Sequence, residues 1–100
     1  MCGIAGLFDA SRAPADRMLL QRMGDAIVHR GPDQAGDFVQ PGVGLVARRL
    51  RIIDLEGGAQ PIDNEDGSVT VVYNGEIYNF QQLRADLERR GHRFSTRTDT

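Results

Sequence analysis

One hundred residues, 40% hydrophobic and 26% charged, suffice for a single domain and exclude the fibrous and disordered classes. The net charge is −2 and all 12 basic residues are arginines scattered along the chain, which leaves no electrostatic case for nucleic acid. No apolar stretch approaches the roughly 18 residues of a membrane span. The single cysteine rules out an internal disulfide and suits a reducing, cytoplasmic setting.

That cysteine is Cys2, between Met1 and Gly3. Removal of Met1 would leave a thiol and a free α-amine on one residue, a nucleophile with its own base. From Cys2 to Phe8 the residues are small or apolar, with glycines at positions 3 and 6, which predicts a short buried strand with Cys2 at its end. The run superficially resembles a signal peptide, but it lacks a basic leader, and Asp9 and Arg12 interrupt it. Met18, Leu19, Met23, Ala26 and Ile27 recur at helical spacing, predicting a helix that reaches His29 and is stopped by Gly31-Pro32.

A strand is expected over Val43 to Ile53, with Arg48 and Arg51 on a solvated face. Within it, Gly42-Val43-Gly44-Leu45-Val46-Ala47 has the spacing of a dinucleotide-binding fingerprint. That reading requires a helix to open near Gly44, and Pro41 before it with a strand after it gives the phosphates no helix N-terminus. Asp66-Gly67 marks a turn, and the β-branched run from Val69 to Tyr73 predicts a central strand ending at Asn74-Gly75. The next helix carries the strongest signals: Asn79 as N-cap, Gln82 completing a capping box, Tyr78 and Leu83 as a hydrophobic staple, and Gly91 as the stop. A last strand is expected over His92 to Thr96.

An amide hydrolase built on Cys2 needs donors for a tetrahedral oxyanion, a cation for a substrate carboxylate and carboxylates for a substrate ammonium. Asn74 and Gly75 can donate to an oxyanion, although a plain Asn-Gly turn explains the pair as well. Arg49 can hold a carboxylate bidentately, and Glu76 and Asp99 can accept from an ammonium; each alone also reads as surface charge. His29 and His92 have no metal-ligand spacing to each other or to Cys2, so no metal site is expected. A papain-like Cys-His pair stays formally open, with nothing in the sequence to bring either histidine to the thiol.

Six ordered segments go further. Met1-Cys2-Gly3-Ile4-Ala5-Gly6, His29-Arg30-Gly31-Pro32-Asp33, Arg49-Leu50-Arg51-Ile52-Ile53-Asp54, Gly58-Ala59-Gln60-Pro61, Tyr73-Asn74-Gly75-Glu76-Ile77-Tyr78-Asn79 and Arg97-Thr98-Asp99-Thr100 span the chain. Together they resemble the class II glutamine amidotransferase domain, of the N-terminal nucleophile hydrolase type, of glutamine-hydrolysing asparagine synthetases. The resemblance implies an α+β fold, part of an αββα sandwich of antiparallel sheets between helix layers, with residues 1–100 as the N-terminal part of a truncated domain. It implies Cys2 as nucleophile and its α-amine as base, Asn74 and Gly75 as oxyanion hole, and Arg49 as carboxylate anchor. Glu76 and Asp99 would surround the substrate amine, and the backbone near Ile53 would also bind substrate. Arg30 and Asp33 would organise the loop near the nucleophile.

The resemblance further implies L-glutamine as substrate, no cofactor in this segment, and ATP and magnesium in a synthetase domain that receives the ammonia. A homodimer is compatible with the full-length form. Pro32 and the segments at Arg49 to Asp54 and Gly58 to Pro61 favour the asparagine synthetase branch, some of whose members act on other acids. Val46-Ala47 departs from the Gly-His common in that family. A non-catalytic fragment that binds glutamine or a partner is the competing expectation.

Overall fold

A computed structural model describes residues 2–50 and 57–100. The first strand, β1 (Gly3–Phe8), leads through a loop to helix α1 (Arg17–Ala26) and a 3-10 turn at Val28–Arg30. Strands β2 (Gln34–Gln40) and β3 (Val43–Arg49) follow, and the antiparallel sheet has the order β1-β3-β2. A two-stranded sheet pairs β4 (Ile62–Asp63) with β5 (Thr70–Val71), and helix α2 (Phe80–Arg89) precedes an irregular C-terminal segment. Helices and antiparallel sheets thus give the expected α+β class.

Helix α1 starts where Asp16 caps it, its carboxylate accepting from the N–H groups of Met18 (2.9 Å) and Leu19 (3.2 Å). The helix ends at Ala26, short of the expected His29, because the chain tightens there into the 3-10 turn. Its inner side meets the even-numbered side of β3. A Cβ at Gly44 would touch Leu7, Ala15 and Leu20, and one at Gly24 would press on Val46 at 2.9 Å. The core lies here, around Leu20 and Val46, with Ala47 buried on the opposite side of the strand.

Arg48 does not sit on a solvated face. Its side chain is only 17% exposed, donating through Nε to the Gly24 carbonyl (3.1 Å) and pairing with Asp25 (2.8 Å). The Gly24 carbonyl, near the C-terminal end of α1, also accepts from the Ile27 N–H at 3.3 Å, so the guanidinium is its second donor. The second half of the expected 43–53 strand, with Arg51, lies outside the described residues.

Strand β2 was not signalled by the sequence. It is joined to β3 by the two residues Pro41-Gly42, with Gly42 at φ +82°, a conformation open to glycine at little cost. No helix opens at Gly44; the fingerprint spacing falls on this turn and strand, which removes the dinucleotide reading.

The expected central strand at 69–73 is a correction: only Thr70–Val71 pair, with Ile62–Asp63, and Val69 is 60% exposed. The Asp66-Gly67 turn is present, with Gly67 at φ +74° and the N–H of Ser68 donating to Asp66. In α2, Asn79 makes no side-chain capping bond and Tyr78 stays 92% exposed, so neither capping box nor staple forms. The stop does form. Gly91 takes φ +96°, its N–H donates to the Glu88 carbonyl and that of His92 to the Leu87 carbonyl, the paired bonds of a Schellman end. The segment from His92 to Thr96 is not a strand.

Candidate functional site

Cys2 immediately precedes β1, and the register pairs Gly3 with Arg48, so the next facing pair is Cys2 and Arg49. Residues facing one another across an antiparallel pair share a face of the sheet. The backbone at the thiol is held in place: Arg30 Nε donates to the Cys2 carbonyl at 3.2 Å. A Cβ on buried Gly3 would lie 3.2 Å from Ile27 Cδ1 and 3.3 Å from Arg30 Cβ.

The His29 to Asp33 segment explains how Arg30 arrives there. A Cβ at Gly31 would lie 2.5 Å from the backbone of Arg48 and Arg49, so only glycine lets the chain pass so close to β3. Pro32 then bridges to Arg49, and the N–H of Asp33 donates to the Arg49 carbonyl at 3.2 Å.

Cys2, Gln34, Gly36, Ala47, Arg49 and Gln60 line one crevice, too narrow in this form to admit a water molecule. Arg49 reaches along it to donate to the Gly57 carbonyl at 2.6 Å. Gly58, at φ +82°, lies under Arg49 Nη2 and against Thr98, where any side chain would collide with the Thr98 methyl. Gln34 Oε1 is buried without a hydrogen-bond partner among the described residues. The thiol of Cys2 is free and half-buried.

Asn74, Gly75 and Glu76 are exposed and do not line this crevice. Tyr73 folds its ring over Gly75, where a Cβ would lie 2.5 Å from the phenol oxygen. Asp99 accepts through Oδ2 from the N–H of Ile77 at 2.8 Å, fastening the C-terminal segment to the residue after Glu76. The structure therefore brings the predicted residues into two groups. Cys2 and Arg49 share the crevice; Asn74, Gly75 and Glu76 form a loop next to Asp99. Ile53 lies outside the described residues.

Gln60 connects the two groups and was given no role from sequence. Its Oε1 accepts from the N–H of Tyr73 at 2.6 Å while the residue lines the crevice beside Cys2. The only available signal was its place in the Gly58 to Pro61 segment; an amide whose two ends bridge separate loops leaves no trace in periodicity. Arg30 was anticipated near the nucleophile, though not its bond to the Cys2 carbonyl.

Neither histidine lines the crevice. His92 Nδ1 meets Glu65 Oε1 at 2.8 Å beyond the end of α2, and that hydrogen bond holds the Glu65 carboxyl below its ordinary range. Among the described residues no three His, Cys, Asp or Glu side chains gather as a metal site would need, and no helix is long and apolar enough to cross a membrane.

Comparison with known proteins extends this geometry. Residues 1–100 match the model of a family described as the glutamine amidotransferase domain. The chain is 44% identical to asparagine synthetase (glutamine-hydrolyzing) 1 of Bacillus subtilis (strain 168), with 100% of the chain and 16% of that protein covered. Asparagine synthetase (glutamine-hydrolyzing) 2 of Oryza sativa subsp. japonica is 41% identical over 99% of the chain and 17% of its own length. Asparagine synthetase (glutamine-hydrolyzing) 3 of Bacillus subtilis (strain 168) is 37% identical over 100% of the chain, which spans 17% of that protein.

Proposed function

Since the chain belongs to the glutamine amidotransferase domain family, we propose that it carries a glutaminase centre in which Cys2, freed of Met1, attacks the side-chain amide of L-glutamine. The observation that carries this reading is that Cys2, one residue before β1, and Arg49, the last residue of β3, line one crevice. The α-amine takes the thiol proton, and the thiolate sulfur bonds to the amide carbon. The resulting oxyanion accepts from the Asn74 side-chain amide and the Gly75 N–H. The amine returns the proton to the leaving nitrogen, the C–N bond breaks, and ammonia departs from a γ-glutamyl thioester. Water then attacks the thioester, releasing glutamate and restoring the thiol. Arg49 holds the substrate carboxylate, while Glu76 and Asp99, with the backbone near Ile53, receive its ammonium group.

The names of the relatives support a finer reading. In the whole protein the ammonia passes to aspartate activated with ATP and magnesium in a synthetase portion, yielding asparagine in the cytoplasm. The test uses the full-length protein. Cys2→Ala is expected to abolish glutamine hydrolysis, measured as glutamate release, and to keep asparagine formation from free ammonia. Glutamate release at the wild-type rate would overturn the assignment.

One observation favours a second reading for the 100-residue chain by itself: Asn74 and Gly75 stand outside the crevice that holds Cys2. Glutamine binding without glutamate release by this chain is the signature of a binding fragment.

A further inference from the structure

We propose that Gln60 is a positioning residue of this centre, the brace that sets the Asn74-Gly75 donors in register with the Cys2 thiol. The inference rests on the glutaminase reading above and adds a residue to it. Three observations converge on this side chain. Oε1 accepts from the N–H of Tyr73, the residue before Asn74, at 2.6 Å. Nε2 donates to Thr100 Oγ1 at 3.4 Å, next to Asp99. The same residue lines the crevice with Cys2 and Arg49.

The brace is anchored from behind. The Gln60 carbonyl and Pro61 lie directly over Gly36 of β2, where a Cβ would run into that carbonyl oxygen and come within 3.0 Å of Pro61 Cδ. Gly36 pairs with Ala47 in the sheet, so the backbone of residue 60 rests on the same face that carries Arg49. An uncharged amide is the group that can accept from one backbone N–H and donate to a hydroxyl at once. A carboxylate could still accept from Tyr73 but would place a negative charge in the crevice that Arg49 also lines; a thioether has no N–H to donate and accepts only weakly.

Placement of oxyanion donors governs the chemical step more than ground-state binding, and small displacements cost about one to two orders of magnitude in rate. In the full-length protein Gln60→Met, which keeps length and volume, should lower kcat for glutamine hydrolysis about ten- to hundred-fold with KM changed less than about threefold. Two controls separate this from loss of fold. The rate of Cys2 alkylation by iodoacetamide should stay within about twofold of wild type, because the thiol and its amine are untouched. Affinity for the γ-aldehyde of glutamate, which adds the thiol to form a tetrahedral oxyanion, should fall in step with kcat. Gln60→Glu should recover kcat while raising KM.

Wild-type kcat in Gln60→Met overturns the proposal. So does a fall in kcat with unchanged aldehyde affinity, or a parallel loss of alkylation and kcat that reports a damaged fold. Failure of the glutaminase reading is distinguishable, since it would leave the unmutated protein without glutamate release.

Discussion

Arg49 is asked to do two things. It donates to the Gly57 carbonyl at 2.6 Å, and in the proposed reaction it also receives the substrate carboxylate. A guanidinium has five N–H donors in a fixed fork and can serve both partners; an ammonium is a point charge that cannot reproduce the fork. Arg49→Lys is therefore expected to raise KM for glutamine about tenfold with kcat little changed, as checked by initial rates of glutamate release. A fall in kcat at constant KM would place Arg49 in the chemical step instead. Its place beside the nucleophile strand was legible in the sequence because Arg49 opens the ordered segment Arg49 to Asp54, which needs no tertiary knowledge to find. Arg48 beside it was misread, because its bond to a carbonyl of α1 is made by a residue 24 positions away.

Elements were legible in proportion to how local their signals are. The Schellman end of α2 and the Asp66-Gly67 turn depend on a glycine at one position, and both are where the sequence puts them. Strand β2, reading Gln34-Ala35-Gly36-Asp37-Phe38-Val39-Gln40, has too few apolar residues to announce itself and exists because β3 provides its hydrogen-bonding edge. The β-branched run at 69–73 failed in the opposite direction, since propensity without a partner strand secures only two paired residues. For α1 the sequence gives a helix but not its start. In the full-length protein Asp16→Ala should cost about 1 kcal/mol, the usual value of an N-cap, seen as a lower denaturant midpoint at unchanged slope for the transition of this domain. An unchanged midpoint would show that packing against β3, and not the cap, sets the helix start.

As a whole the molecule is open. Its surface of 7208 Å² compares with roughly 5,600 Å² for a compact domain of 11.0 kDa, and its radius of gyration of 14.6 Å exceeds the roughly 13 Å expected for this length. Phe8, Val69, Leu83 and Phe94 are exposed, α2 buries none of its residues, and a groove of about 440 Å³ runs between α2 and the β4-β5 hairpin. The 100-residue chain on its own should therefore bind a hydrophobic dye and melt over a broad range. A sharp calorimetric transition, with equal van't Hoff and calorimetric enthalpies, would contradict this. None of this openness is visible in composition, which matches that of a compact domain; it follows from how little apolar surface the described elements cover.

Strand β3 keeps its two duties on alternate residues. Gly44, Val46 and Arg48 face helix α1, while Ala47 and Arg49 face the crevice with Cys2. Neighbouring positions thus answer to different surroundings. A substitution at Val46 or Arg48 falls on the packing of α1 against the sheet, whereas one at Arg49 falls on the crevice that holds Cys2. In the proposed reaction, one short strand would thereby let inherited change act on folding at one residue and on substrate handling at the next.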